Sequence, residues 1–302
     1  MHDLSLELPC LSKVAGPLNK NTMTKYSSHV VPVNEIELHY IHYKSDAPTL
    51  LLMHGLTANA HAFDGLINAG LQESFNILSV DLRGRGLSSK TAFRYSIQDH
   101  AEDIIQWLDA LQIETISVCG HSFGGLLSTH LAFHYPERFD KLIILDAAPK
   151  MNPKTPEMLG PALSRLDTVF PSFEDYIEKV KQAPYLTFWD TAMLSYYKAD
   201  VATAADGSVE PRSNLADIIQ IATHSSKEPW DTYFESIPHQ TLMVNAVDNY
   251  TLNQPLLPDF MAQEATEKMK QARYVGMQGN HQTMLYGPHA HELVTSIRDF
   301  LL

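Results

Sequence analysis

Three kinds of side chain spread along the sequence have the chemistry of an acyl-transfer site. Ser122 lies in "VCGHSFGGLL", a Gly-x-Ser-x-Gly pentad. His281 lies in "MQGNHQTMLYGPH", and carboxylates stand at Asp146 in "KLIILD" and Asp248 in "TLMVNAVD". A serine hydroxyl is a weak nucleophile. It needs a base within hydrogen-bond reach and an acid that orients the base. His281 follows the last apolar strand pattern in a glycine-containing loop, where a base can return to a sheet edge, and we take it ahead of His289 and His291, which fall at the start of the final helix. Asp248 is the first choice of acid and Asp146 the alternative, because each ends a strand-like run. The plainer reading of the pentad is a run of small residues that eases a helix past a sheet.

The elements that flank these residues favour chemistry. "TISVC" reads as a buried strand and "FGGLLSTHLAFHY" as a helix, so Ser122 falls on the turn between them. Glycines at 120, 124 and 125 remove side chains where strand and helix backbones crowd. The helix N-terminus supplies backbone N–H groups and partial positive charge to a developing oxyanion. The N–H of Phe123 is one candidate donor. The loop after "TLLLM" is the natural source of a second, with Leu56 the candidate and Thr57 next in line.

From Ser28 onward the sequence alternates strands and helices. "HVVPVN" and "IELHYIHY" read as a hairpin turning at Asn34-Glu35. "TLLLMHG", "FNILSVDLRGRG", "TISVCG" and "KLIILDAAP" are continuous apolar runs, as strands covered on both faces should be. Between them lie helical patterns at "AHAFDGLINAGLQ", at "YSIQDHAEDIIQWLDALQ" with a capping-box-like start at Ser96 and Asp99, and at "SFGGLLSTHLAFHYP". Residues 150–235 hold helical stretches and no clear buried strand. The strand pattern returns in "QTLMVNAVD" and "ARYVGMQG", and a helix closes the chain. The expected class is α/β: a mostly parallel central sheet with helices on both faces and an inserted helical cap. The expected organisation is an N-terminal arm over 1–27, a core over 28–149 and 236–302, and a cap over 150–235. The cap is rich in aromatics and methionine. Phe188, Trp189 and Tyr197 are the residues expected to line an apolar substrate pocket.

Composition narrows the function classes. The 302 residues carry 22 basic and 35 acidic side chains, a net charge of −13, which disfavours nucleic acid and anionic membrane surfaces as partners. A hydrophobic content of 44% is ordinary for a globular chain, and no run approaches the about 18 apolar residues of a membrane span. Two cysteines, Cys10 and Cys119, make a disulfide framework an unfavoured reading and a reducing, cytoplasmic setting the expectation. No signal peptide is read in the first residues, and "LELPC" lacks a usable lipoprotein leader. His130 and His134 are four apart but lack the glutamate of an HExxH site, so no metal is expected. No Walker or dinucleotide pattern is present, so no cofactor is expected. The oligomeric state is not legible.

The chain resembles the α/β-hydrolase fold family. The resemblance rests on "HGLTANAHAF" at 54–63, "DLRGRGLS" at 81–88, "GHSFGG" at 120–125 and "GNH" at 279–281, in that order, over about residues 28–302. It is similar to the esterase, lactonase and carbon–carbon hydrolase branch. Relatives that open epoxides or remove halides carry aspartate where Ser122 stands. The resemblance implies a Ser122, Asp248, His281 triad with Leu56 and Phe123 as oxyanion donors. It also implies that Asp81 and Arg83 belong to a structural loop shaping one wall of the site without taking protons. The family often has glycine three residues before the acid, and here Asn245 occupies that position, which keeps Asp146 open. The function expected is hydrolysis of a small-to-medium, largely apolar carboxylic ester or lactone through an acyl-enzyme. The alternatives are carbon–carbon hydrolysis of a diketone and a receptor-like binding protein on the same scaffold.

Overall fold

The computed structural model describes residues 25–302; Cys10 and the expected arm up to residue 24 lie outside them, and Ser27 already belongs to the first strand. The strands are β1 (Ser27–Val33), β2 (Ile36–Tyr43), β3 (Thr49–Met53), β4 (Asn76–Val80), β5 (Ile116–His121), β6 (Phe139–Leu145), β7 (Val201–Thr203), β8 (Val209–Pro211), β9 (Gln240–Ala246) and β10 (Ala272–Met277). The helices are α1 (Asp64–Asn68), α2 (Ile97–Ala110), α3 (Phe123–His134), α4 (Thr155–Met158), α5 (Gly160–Leu163), α6 (Phe173–Lys181), α7 (Thr191–Asp200), α8 (Leu215–Ser225), α9 (Trp230–Ser236), α10 (Asp259–Lys268) and α11 (Gly287–Leu301).

Eight strands form one sheet in the order β1-β2-β4-β3-β5-β6-β9-β10. β1 and β2 form an antiparallel hairpin, β2 runs antiparallel to β4, and the remaining pairs are parallel. The hairpin turns where Asn34 and Glu35 both adopt positive φ, as a tight two-residue turn between twisted strands requires. The continuous apolar strands bury both faces by alternation. Leu50 and Leu52 join one core with Phe63, Leu66 and Leu293, whereas Leu51 and Met53 join the opposite core with Ile104, Leu127 and Leu131. The capping box at Ser96 and Asp99 is formed in both directions and starts α2.

Two elements differ from the sequence reading. "AHAFDGLINAGLQ" is three short pieces around α1, not one helix: Gly70 has φ of 98°, and a Cβ on Gly65 would run into the Leu285 carbonyl. The segment read as helical stretches with no clear buried strand contains the β7–β8 hairpin, a strand pair too short to show a period-2 pattern. Between β6 and β9 the chain builds α4 to α9 with that hairpin. Of these, α9 lies against α3, where Tyr233 packs on Phe133 and His130.

Candidate active site

Ser122 occupies the turn between β5 and α3 with φ of 54° and ψ of −118°. A non-glycine residue in that region is strained, and the strain is held by its surroundings. Its backbone N–H donates to the Leu145 carbonyl at 2.8 Å, which ties the turn to the end of β6. The two pentad glycines serve closeness, not flexibility. A Cβ on Gly120 would strike the Gly124 backbone, and one on Gly124 would strike the Met53 carbonyl. Phe123 opens α3, so its N–H has no acceptor within the helix. Leu56 lies in the turn Gly55–Ala58, closed by the Ala58 N–H donating to the Gly55 carbonyl at 3.2 Å.

His281 Nδ1 donates to Asp146 Oδ2 at 2.6 Å, with both groups buried. With Nδ1 carrying the proton, Nε2 retains the lone pair a base needs. Asp146 follows β6 with φ of 51°, a conformation that turns its carboxylate across the sheet edge. Its other oxygen accepts from the Ala246 N–H at 3.0 Å. The Asn245 amide, oriented to satisfy its neighbours, adds a second donor at 2.8 Å and gives its remaining hydrogen to the Leu257 carbonyl at 3.2 Å.

Asp248, the first choice of acid, is not at the histidine. Its Oδ2 accepts from the Gly279 N–H at 2.8 Å, and its own N–H donates to the Gly279 carbonyl. It staples the loop after β9 to the loop after β10, two residues short of His281. The carboxylate that reaches the ring is therefore Asp146, and Asn245 fills the space on β9 beside it.

Ser122, His281, Asp146, Leu56 and Phe123 all line one cavity of about 490 Å3. No hydrogen bond joins Ser122 Oγ to His281 in this structure; a nucleophile and its base often close up only when substrate is bound. The cavity is walled mainly by apolar side chains, among them Leu126, Leu159, Leu163, Trp230 and Leu285. Of the three residues expected to line it, Tyr197 does. Phe188 and Trp189 do not: Phe188 packs against Gly287 and His289, and Trp189 stacks on the Tyr197 ring at 5.8 Å and 14° with Lys181 over its face. Further aromatic lining comes from Trp230, Tyr185, Tyr196 and Tyr250, which were not among the three expected. Tyr250 stacks on Tyr185 at 4.9 Å and meets the His281 ring edge-on at 5.6 Å. One signal was available: Tyr250 lies just beyond the strand-end aspartate 248.

The "DLRGRGLS" loop stands behind the cavity without lining it. Asp81 accepts from the Ala60 and Leu87 N–H groups and from His39 Nδ1, and Arg83 forms a bidentate pair with Asp103 of α2 at 2.6 and 2.8 Å. It shapes the site through its neighbours: Arg85 lies 5.5 Å from the Phe123 ring centre. Burial raises the pKa of the Asp81 carboxyl, but the bond to His39 and the other groups around it outweigh that and hold it below its ordinary range.

Sequence reasoning also missed His121. Its Nε2–H donates to the His281 carbonyl at 2.9 Å, and the rings lie 4.7 Å apart. Burial, then the neighbouring His281, pushes its pKa well below the usual range, so it stays neutral and adds no cation beside His281. The His130 and His134 rings pack at 4.3 Å with a 40° tilt, and His130 reaches Gln98. Among the described residues no group of three His, Cys, Asp or Glu could hold a metal, and no helix is long and apolar enough to cross a membrane.

Comparison with known proteins agrees with this fold. A family model described as the alpha/beta hydrolase fold matches residues 48–268, well over half of the sequence. The chain belongs to the α/β-hydrolase family. Within that family it is 35% identical over 118 residues to 3-oxoadipate enol-lactonase 2 of Acinetobacter baylyi, covering 39% of this chain and 44% of the relative. It is 30% identical over 150 residues to 2-(acetamidomethylene)succinate hydrolase of Mesorhizobium japonicum, covering 50% and 52%. The α/β hydrolase thus spans less than two thirds of the length of each. The solved structure of E-2-(acetamidomethylene)succinate hydrolase superimposes with a TM-score of 0.81 at 21% identity, covering 92% of this chain and 99% of the other, which is agreement in fold.

Proposed function

We propose that this α/β hydrolase is a serine hydrolase of carboxylic esters or lactones that works through an acyl-enzyme. The observation that carries the reading is the buried His281–Asp146 pair set in the same cavity as Ser122 on its strained turn. Ser122 Oγ attacks the substrate carbonyl carbon while His281 Nε2 takes its proton. Asp146 fixes the ring through Nδ1 and stabilises the imidazolium. The oxyanion accepts from the Leu56 and Phe123 N–H groups. Collapse breaks the acyl–oxygen bond, and His281 returns the proton to the leaving alcohol. In a lactone that alcohol stays attached to the acyl group. Water then attacks the acyl-enzyme with His281 as base, releasing the acid and restoring the serine. The apolar walls suit a small-to-medium, largely apolar substrate. The lactone part of the reading is supported by the similarity to the Acinetobacter enol-lactonase. No metal or cofactor is part of this scheme, and a cytoplasmic location fits the cysteine content.

The test is labelling by a fluorophosphonate together with turnover of a panel of aryl esters, lactones and vinylogous diketones. Parent protein should label and hydrolyse esters or lactones, and Ser122→Ala should lose both, with turnover down by about 10³-fold or more. Ester hydrolysis within a few-fold of parent in Ser122→Ala overturns the mechanism. Preference for diketones moves the chemistry to carbon–carbon cleavage, and absence of labelling in the parent moves it to a binding role.

A further inference from the structure

The turn that carries Leu56 is held from two sides. From the core, the Ala60 N–H donates to Asp81 at 2.6 Å and the Ser79 hydroxyl donates to the Ala60 carbonyl at 2.7 Å. From the segment between β6 and β9 come two more bonds. Arg165 Nη2 donates to the Thr57 carbonyl at 3.4 Å, and Asn59 Nδ2 donates to the Tyr196 carbonyl of α7 at 3.2 Å. We propose that Arg165 and Asn59 are positioning residues that latch the segment over the site onto the Gly55–Ala60 turn, so that the Leu56 oxyanion donor is set only when that segment is seated. The proposal rests on Leu56 being an oxyanion donor.

Arg165 is built to hold rather than to bind. It follows α5, is 5% exposed, and lines the cavity. Its Nε donates to Asp200 Oδ2 at 3.0 Å and to the Tyr176 hydroxyl at 3.3 Å, and Nη1 donates to the Ala162 carbonyl. Burial opposes its charge, but Asp200 and the surrounding tyrosines outweigh that, so it stays cationic. Asp200 ends α7 and Tyr176 belongs to α6, so a single guanidinium gathers two helices of the segment, while Nη2 is shared between Asp200 Oδ1 at 3.4 Å and the core turn. These bonds leave it little to offer a ligand. Among the described residues the Thr57 carbonyl has no other side-chain or backbone partner. Asn59 is buried, and its Oδ1 accepts from the His61 N–H while its amide nitrogen makes the Tyr196 bond, so both ends of the side chain are engaged. A hydrogen bond to an oxyanion is steeply sensitive to position: a misplacement of about 1 Å can cost about a hundredfold in rate.

The experiment compares Arg165→Met, Arg165→Lys and Asn59→Ser with the parent by hydrogen exchange across residues 54–60, fluorophosphonate labelling rate, and kcat and KM on neutral and carboxylate-bearing esters. Asn59→Ser keeps a capping acceptor but is too short to reach Tyr196. The latch predicts that Arg165→Met and Asn59→Ser speed exchange in the turn at least fivefold while α2 and β4 keep their protection. They should lower kcat and labelling at least tenfold with KM within threefold, equally for neutral and charged esters. Arg165→Lys should recover part of the loss, since an ammonium can serve Asp200 or Thr57 but not both. Unchanged exchange in the turn overturns the proposal, as does a KM defect confined to carboxylate-bearing esters, which would make Arg165 a substrate contact. If Arg165→Met does not fold, Asn59→Ser alone decides. If the parent neither labels nor hydrolyses, the proposed function fails by that result, and the exchange measurement still decides whether the latch exists.

Discussion

His281 and Asp146 are 135 positions apart and share a buried hydrogen bond of 2.6 Å, while Asp248, 33 positions from His281, is spent on the loop backbone. Asp146 thus follows β6 and His281 lies in the loop after β10, with β9 between β6 and β10 in the sheet.

That relationship predicts opposite outcomes for two similar substitutions. Asp146→Asn should lower kcat by about 10³- to 10⁴-fold, because the amide favours the wrong imidazole tautomer and cannot stabilise the imidazolium. Asp248→Asn should lower it by no more than about tenfold, through loosening of the loop at Gly279. Steady-state kinetics of the two variants on the best ester or lactone check this. Equal losses would remove Asp146 from its assigned role.

Asn245 should matter although it touches no cavity space. Asn245→Ala takes one of two donors from a buried carboxylate oxygen, an interaction of about 1.5–3 kcal/mol for a charged acceptor. We expect kcat to fall by about tenfold with KM unchanged, and Asn245→Gln to recover little because the longer amide does not fit a fully buried position. A KM effect without a kcat effect would contradict the assignment.

Gly124→Ala should reverse the ordinary helix preference. In an open helix alanine stabilises by about 0.5–1 kcal/mol over glycine. Here the new Cβ runs into the Met53 carbonyl, so the substitution should destabilise by about 1–3 kcal/mol and displace Ser122. Denaturant unfolding and the fluorophosphonate labelling rate would check both effects. Stability equal to the parent would show that the close approach is not a constraint.

Stability should fall as the solution is acidified from pH 7 to about 4. Burial first, and Arg85 second, lower the pKa of His54 from 6.5 to about 4. Between those values the unfolded chain binds a proton that the folded chain refuses, so ΔG of unfolding rises with pH across that window and is lost on acidification. For His54 this amounts to on the order of 3 kcal/mol. The folded state needs the neutral ring, because Nδ1–H donates to the Gly55 carbonyl and Nε2 accepts from the Leu82 N–H at 3.0 Å. Urea unfolding at pH 7 and 4.5 should show the loss. His54→Gln, which offers one donor and one acceptor without titrating, should reduce the pH slope, with His130, also lowered to about 4, supplying part of the remainder. An unchanged slope in His54→Gln would refute the assignment.

The sequence by itself determined the α/β alternation, because apolar runs bounded by glycine and amphipathic helical faces are local patterns with fixed periods. It also determined where Ser122 and His281 sit, since a strand–turn–helix and a glycine loop are written in neighbouring residues. Only the tertiary structure decided which carboxylate pairs with His281. Asp146 and Asp248 both end strands and look alike locally, and the choice depends on which carboxylate the strand order and the positive φ of Asp146 bring to the ring. The cavity wall was decided in the same way. Phe188, Trp189 and Tyr197 are all aromatic and look alike as candidates, and the direction each ring faces follows from the packing of α7 and α11. The contacts of Arg165 with Thr57, Asp200 and Tyr176 were beyond local reading, because they join residues 108, 35 and 11 positions apart that carry no common pattern.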